Sequence, residues 1–194
     1  MATHSLKVHV PETDYLQAER QNPTKREYLA GEVRALAGAS EPHNIIVFNL
    51  GGMLYHSLRG KSCRGYVVDM RVKVPELPAY LYPDVVIVCG QPQFEDEQKD
   101  NLLNPTVVIE VLSPSTEAFD RGEKFATYQR IPTLREYLLV AQDRTYVEQF
   151  IRQPNGQWSC RVYDQPEQSV ALLGGTVSLP LQGIYEGISF SQEA

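Results

Sequence analysis

Two carboxylates in this chain stand where a buried strand is expected. In PTVVIEVLSP, residues 105–114, Glu110 interrupts an apolar run. In YPDVVIVCG, residues 82–90, Asp84 opens a second run directly after Pro83. The two-residue period of a strand puts Glu110 on one face with Val108 and Leu112. An ionised carboxylate there costs about several kcal/mol unless a partner or a metal faces it. Each acid has an ordinary reading: Glu110 as half of a buried salt bridge to an arginine, Asp84 as the mark of a strand start. Together they carry more. If the two strands are neighbours, both acids converge, and converging carboxylates repel unless a cation or a proton lies between them. Mg²⁺ suits such a pair, because it is commonly held by one or two carboxylates with water and substrate phosphate completing its shell.

A positive group is the next requirement. In DRGEKFATYQR, residues 120–130, Asp120, Lys124 and Tyr128 recur every four residues and so share a helix face. Lys124 is placed to reach back over the end of the Glu110 strand; the alternative is a solvated ion-pair row. Tyr128 reads as packing. Ser113 serves either a metal-bound water or the turn before Pro114. His4, His9 and His56 show no ligand spacing.

These residues need a scaffold, and the chain offers one. Residues 25–38 predict a hairpin, with a strand around Arg26 to Leu29, a turn at Ala30-Gly31 and a second strand from Glu32 to Ala37. A helix begins near Pro42, too apolar for a surface helix, with Gly51-Gly52 inside it. Three strand-like runs come next: GYVVDMRVKV, YPDVVIVCG and PTVVIEVLSP. The last two are nearly continuous apolar runs, as strands covered on both faces are. QPQFEDEQKDNL between them reads as a loop. A helix over about 116–130, capped by Ser115 or Thr116 and stopped by Pro132, leads to the strand REYLLV. A hairpin around Pro154-Asn155-Gly156 and short strands from Ser169 complete the order. The order predicts an α/β domain, bordering on α+β, with a mixed central sheet flanked by helices. We divide the chain into an N-terminal arm over 1–24, with a short helix expected from Glu12 to Arg20, and a single domain over 25–194. That domain has a core at about 25–145 and a β extension over 146–194. No GxGxxG or GxxxxGK[ST] loop is present, so a Rossmann or P-loop site is excluded.

Composition narrows the class. The 194 residues are 42% hydrophobic and 22% charged, as in ordinary globular proteins. No apolar run approaches the ~20 residues of a membrane span. The first residues lack a secretory layout, which predicts a cytoplasmic protein. Cys63, Cys89 and Cys160 suggest neither a disulfide framework nor a metal knuckle. The net charge of −6 argues against a passive nucleic-acid coat, though not against an enzyme that meets phosphate through a metal.

The ordered set of residues resembles a family. PD in one strand, EVLSPST in the next and a lysine in the following helix look like the PD-(D/E)XK nuclease superfamily. The chain is more closely similar to the bacterial Uma-type putative restriction endonucleases, through REYLAGEV, EPHNIIVFNL, EVLSPST and DRGEKFATYQRIPTLREYLLV. The resemblance covers roughly residues 25–145 and implies a restriction-endonuclease-like fold, a DNA substrate, a Mg²⁺ cofactor replaceable by Mn²⁺, and a homodimer. It assigns Asp84 and Glu110 as metal ligands, with the carbonyl of Val111 as a further ligand. The superfamily's lysine lies two residues after the second acid, where this chain has Leu112; the Uma-type pattern points to Lys124 instead. Glu27 matches a hairpin acid of the family, against an equally ordinary reading as a strand-edge surface residue. His43 matches a histidine that opens the helix and would contact phosphate or carry a proton, against a plain helix-start role. A nuclease fold without turnover, acting as a binding or regulatory module, is the alternative.

Overall fold

The computed structural model describes residues 9–190; the first part of the N-terminal arm, with His4, lies outside the described residues. A short helix α1 (Glu12–Glu19) leads to a hairpin of β1 (Arg26–Leu29) and β2 (Glu32–Ala35). Leu29 faces Glu32, so the turn is the two residues Ala30 and Gly31. Both have positive φ, 50° and 93°, which gives the backbone twist a tight hairpin requires. Helix α2 (Glu41–Leu58) starts at Ser40, whose hydroxyl accepts the His43 N–H at 3.3 Å.

The run GYVVDMRVKV, expected as one strand, is two. β3 (Cys63–Val67) and β4 (Arg71–Lys73) belong to different sheets, and the run breaks at Val68, whose φ is 70°. A β-branched residue in that region cannot continue a strand. β5 (Ala79–Leu81) and β6 (Val85–Cys89) come after them. The acidic stretch expected as a loop holds a two-residue strand, β7 (Asn101–Leu102), parallel to β4. Next come β8 (Val107–Leu112), β9 (Glu136–Ala141), β10 (Val147–Arg152) and β11 (Trp158–Tyr163). The helical segment between β8 and β9 consists of α3 (Glu117–Phe119), a π-helical turn (Asp120–Lys124) and α4 (Phe125–Tyr128). β12 (Ser169–Leu172), β13 (Val177–Pro180) and the short helix α5 (Leu181–Ile184) close the chain.

The central sheet runs β11-β10-β9-β8-β6-β3. Its β8–β9 pair is parallel and the others are antiparallel, so the sheet is mixed, as expected. β8 and β9 are buried at every position, which explains why their sequences are nearly all apolar. The two faces divide by residue parity. Val85, Ile87, Val107, Ile109 and Val111 pack against Ile46, Leu50 and Leu54 of α2 and the C-terminal β12–β13 hairpin. Val86, Val88, Val108 and Leu112 face a second sheet, β2-β1-β5-β4-β7, through Leu29, Val72 and Leu81. Glu110 therefore points into the layer between the two sheets.

The helix expected over about 116–130 is present, with a π turn at Asp120–Lys124 inside it. Such a turn carries one residue more than an α turn and so rotates the rest of the helix about its axis. Asp120 and Lys124, at the two ends of the turn, are both buried.

The expectation of no disulfide is corrected as well. Cys63 and Cys89 face each other across the β3–β6 pair and are joined by a disulfide bond. Their separation in sequence hides a direct cross-strand register that only strand pairing reveals. Cys160 is free and exposed. Among the described residues no helix is long and apolar enough to cross a membrane.

Candidate functional site

β6 and β8 pair antiparallel, with Val85 opposite Ile109 and Val86 opposite Val108. One step further along the register, Asp84 stands opposite Glu110. Residues directly opposite in an antiparallel pair project to the same side. Both acids accordingly line one cleft of about 460 Å³, together with Glu27, His43, Val111, Asp120 and Lys124.

Lys124 occupies the centre of the polar cluster and is 4% exposed. Its ammonium lies 2.9 Å from Glu27 Oε1, 3.1 Å from Glu110 Oε1 and 3.4 Å from Asp120 Oδ1, and donates to the Tyr82 carbonyl at 3.2 Å. Burial works against its charge, but Glu110 and Glu27 beside it hold the ammonium protonated, well above the usual lysine range. Glu110 is pushed well above the ordinary carboxylate range, mainly by burial. Lys124 opposes that shift, whereas Asp120, Asp84 and Glu27 reinforce it. Asp120 is raised for the same first reason, desolvation.

Asp84 is anchored differently. Its Oδ2 accepts the Val111 N–H at 2.8 Å and lies 3.3 Å from His43 Nε2. Burial lowers the pKa of His43, but Asp84, with the Val111 backbone adding to the pull, raises it on balance. His43 Nδ1 is buried without a hydrogen-bond partner. α2 delivers this ring because Ser40 caps the helix one turn earlier and fixes His43 at its mouth.

Asp84, Glu110, Lys124, Glu27 and His43, all candidates from the sequence, share one cleft, with Val111 at its wall. Glu27 is 4% exposed, so the reading of a surface strand-edge residue does not hold. Its Oε1 accepts the Tyr82 N–H at 2.9 Å as well as meeting Lys124, so it holds the lysine in place. The row Asp120, Lys124, Tyr128 is buried, not solvated. Asp120 joins the site unforeseen, and its four-residue spacing from Lys124 is the signal that could have found it. Tyr128 packs beneath the cluster with its hydroxyl buried and without a hydrogen-bond partner.

Three carboxylates thus face one ammonium with Asp84 a fourth in the same cleft, and Glu110 Oε1, although within ion-pairing distance of Lys124, is a buried oxygen with no aligned hydrogen-bond donor. Buried acceptors are rarely left so. The donor set is hard oxygen, which suits Mg²⁺ or Mn²⁺. Among the described residues, no group of three or more His, Cys, Asp and Glu side chains forms a metal cage. Asp84 and Glu110 are the two carboxylates that could hold such a cation, with water and substrate completing its shell.

Comparison with known proteins places the chain in a family and gives its fold a neighbour. Residues 12–182 match the model of the Uma2 family, described as putative restriction endonuclease. Two relatives come from Synechocystis sp. (strain ATCC 27184 / PCC 6803 / Kazusa). The uncharacterized protein sll1609 is 39% identical over 145 residues, which cover 75% of this chain and 82% of the relative. The uncharacterized protein slr1290 is 32% identical over 194 residues, covering 98% and 100%. A crystal structure of a putative nuclease belonging to DUF820, from Anabaena variabilis ATCC 29413, superposes with a TM-score of 0.72. That likeness covers 91% of this chain and 97% of the other at 14% identity, and so concerns the fold alone.

Proposed function

The chain belongs to the Uma2 putative restriction endonuclease family, and from that premise we propose that it is a Mg²⁺-dependent endonuclease that hydrolyses phosphodiester bonds of DNA. The observation that carries the reading is the cross-strand pairing of Asp84 with Glu110 in the cleft where Lys124 ends. In this proposal Asp84 and Glu110 hold the cation, with the Val111 carbonyl as a further ligand and Mn²⁺ as a substitute. The cation supplies Lewis acidity, both to acidify a water and to polarise a phosphodiester oxygen. Lys124 orients the attacking water or offsets charge that develops on the phosphoryl oxygens. Glu27 and Asp120 keep the ammonium charged and aimed. His43, tethered to Asp84, contacts phosphate or carries a proton at the open end of the cleft. The setting is cytoplasmic and the assembly a homodimer.

The test is hydrolysis of duplex and single-stranded DNA and of RNA by the purified protein with Mg²⁺ or Mn²⁺, repeated in EDTA. Metal-dependent cleavage of DNA, reduced on the order of 10²-fold or more in Asp84→Asn, supports the proposal. One observation favours a second reading, a nuclease fold kept as a binding or regulatory module. Lys124 is already engaged by three carboxylates and a carbonyl. No cleavage of any substrate, with no thermal shift on adding metal, overturns the enzyme and selects that module.

A further inference from the structure

Helix α2 has a second face that the cleft does not use. Ile46, Leu50, Leu54 and Leu58 enter the core, while Phe48 and Tyr55 are 80% and 68% exposed. Seven residues apart, they lie on one stripe two turns from each other. Gly51 and Gly52 lie between them. The stripe extends by the same step to Glu41 at one end of the helix, and through Ile45 and Gly52 to Arg59 at the other. This alternating three- and four-residue spacing is that of a helix–helix seam. Beside it runs β3, the edge strand of the central sheet, with Val67 41% exposed. Helix and strand together form an apolar groove of about 580 Å³. Contiguous exposed apolar surface of this kind marks an interaction site.

Gly52 points the same way. A glycine inside a helix is less favourable than alanine. A Cβ at position 52 would meet nothing within 4 Å, so nothing in the described chain requires a glycine there. Close approach by another helix backbone would require one.

We propose that a second copy of this chain covers the groove, α2 packing antiparallel on α2 about a two-fold axis beside Gly51 and Gly52. The face is self-complementary in that arrangement. Phe48 falls opposite Tyr55 of the second copy, because their midpoint lies at the two glycines. Glu41 falls within one turn of Arg59 of the second copy, inside the reach of an arginine side chain, so the acidic start of each helix meets the basic end of the other, where Lys61 and Arg64 are also exposed. No ion pair of Glu41 or Arg59 is found among the described residues. A symmetric contact of this type closes on itself and stops at two copies. A nucleic-acid strand would fit less well, since its phosphates would meet basic residues at only one end of the groove and Glu41 at the other. The pairing gives the proposed homodimer its surface, and it stands whether or not the cleft is catalytic.

Sedimentation velocity of the full-length chain tests it, with concentration series from sub-micromolar to tens of micromolar. The parent is expected at twice the chain mass. Phe48→Glu and Gly52→Leu should each weaken the dimer by at least tenfold. Gly52→Leu points into open space within its own chain, so an unchanged far-UV circular dichroism spectrum separates lost association from lost folding. Glu41→Arg and Arg59→Glu should each weaken the dimer, and the two combined in one chain should restore it, because every acid–base contact is then re-formed with reversed sign. A parent that is monomeric throughout the series overturns the proposal. So does a dimer indifferent to both Phe48→Glu and Gly52→Leu. A monomeric parent that binds a fluorescent single-stranded oligonucleotide, and loses it on Phe48→Glu, overturns it in favour of nucleic acid.

Discussion

The Lys124 ammonium lies 3.1 Å from the Glu110 carboxylate, both residues being less than 5% exposed. This is the contact that answers a carboxylate set in the middle of an all-buried strand. It does so only in part, because the same ammonium also serves Glu27 and Asp120.

Lys124→Met should therefore be severely destabilising. Removing the ammonium leaves Glu27, Glu110 and Asp120 facing one another in a dry layer, and breaking a buried ion pair from one side costs about 3–5 kcal/mol. Urea unfolding at neutral pH measures it. A loss below about 1 kcal/mol would mean that these carboxylates do not depend on Lys124.

Asp84→Asn should separate function from stability. Its amide oxygen can still accept the Val111 N–H, so in EDTA the variant should unfold within about 1 kcal/mol of the parent. Added Mg²⁺ should raise the melting temperature of the parent and leave the variant unmoved, since only a folded state that binds the ion gains from it. Differential scanning fluorimetry with and without EDTA decides this. A variant destabilised equally in both conditions would mark Asp84 as structural.

Asp100 gives a prediction on pH. It receives two hydrogen bonds from Arg20, at 2.9 and 2.8 Å, and pairs with the buried Arg71. Burial raises its pKa, but Arg20 and Arg71 outweigh that and hold it below the ordinary range of an aspartate. A depressed carboxylate stabilises the fold above its unfolded pKa, and that contribution disappears as pH falls through the folded value. Asp100→Asn should lose about 1 kcal/mol at pH 7, because solvent partly screens the pair, with the gap to the parent narrowing only below about pH 4. Chemical unfolding across a pH series measures the gap, and one that stays constant down to about pH 2 would contradict the linkage.

Reduction of the Cys63–Cys89 disulfide should lower stability without closing down the cleft. A crosslink over 26 residues stabilises by about 3.5 kcal/mol in the chain-entropy account. The bond sits at the far end of β6 from Asp84, about 17 Å away at strand spacing. Dithiothreitol should lower the melting temperature, while any Mg²⁺-dependent shift should persist in reduced protein. Loss of that shift on reduction would tie the disulfide to the site.

Much of this was legible in the chain itself. Nearly continuous apolar runs identified β6, β8 and β9 because strands buried on both faces have no polar side to show. Asp84 and Glu110 stood out for the same reason, as charges where burial penalises charge. The Ala30-Gly31 turn declared its hairpin through a glycine at positive φ. Tertiary structure alone decided the rest. Register between strands far apart in sequence put Asp84 opposite Glu110 and Cys63 opposite Cys89, and no local spacing encodes register. Whether the row Asp120, Lys124, Tyr128 faced the Glu110 strand or solvent was open in the sequence, and the fold settled it by burying all three beside Glu27 and Glu110. Glu27 read equally as a site acid and as a surface acid, because two-residue periodicity tells which residues share a face, not what covers that face. Its burial exists only because the second sheet folds over the first, bringing Tyr82 and Lys124 to its carboxylate.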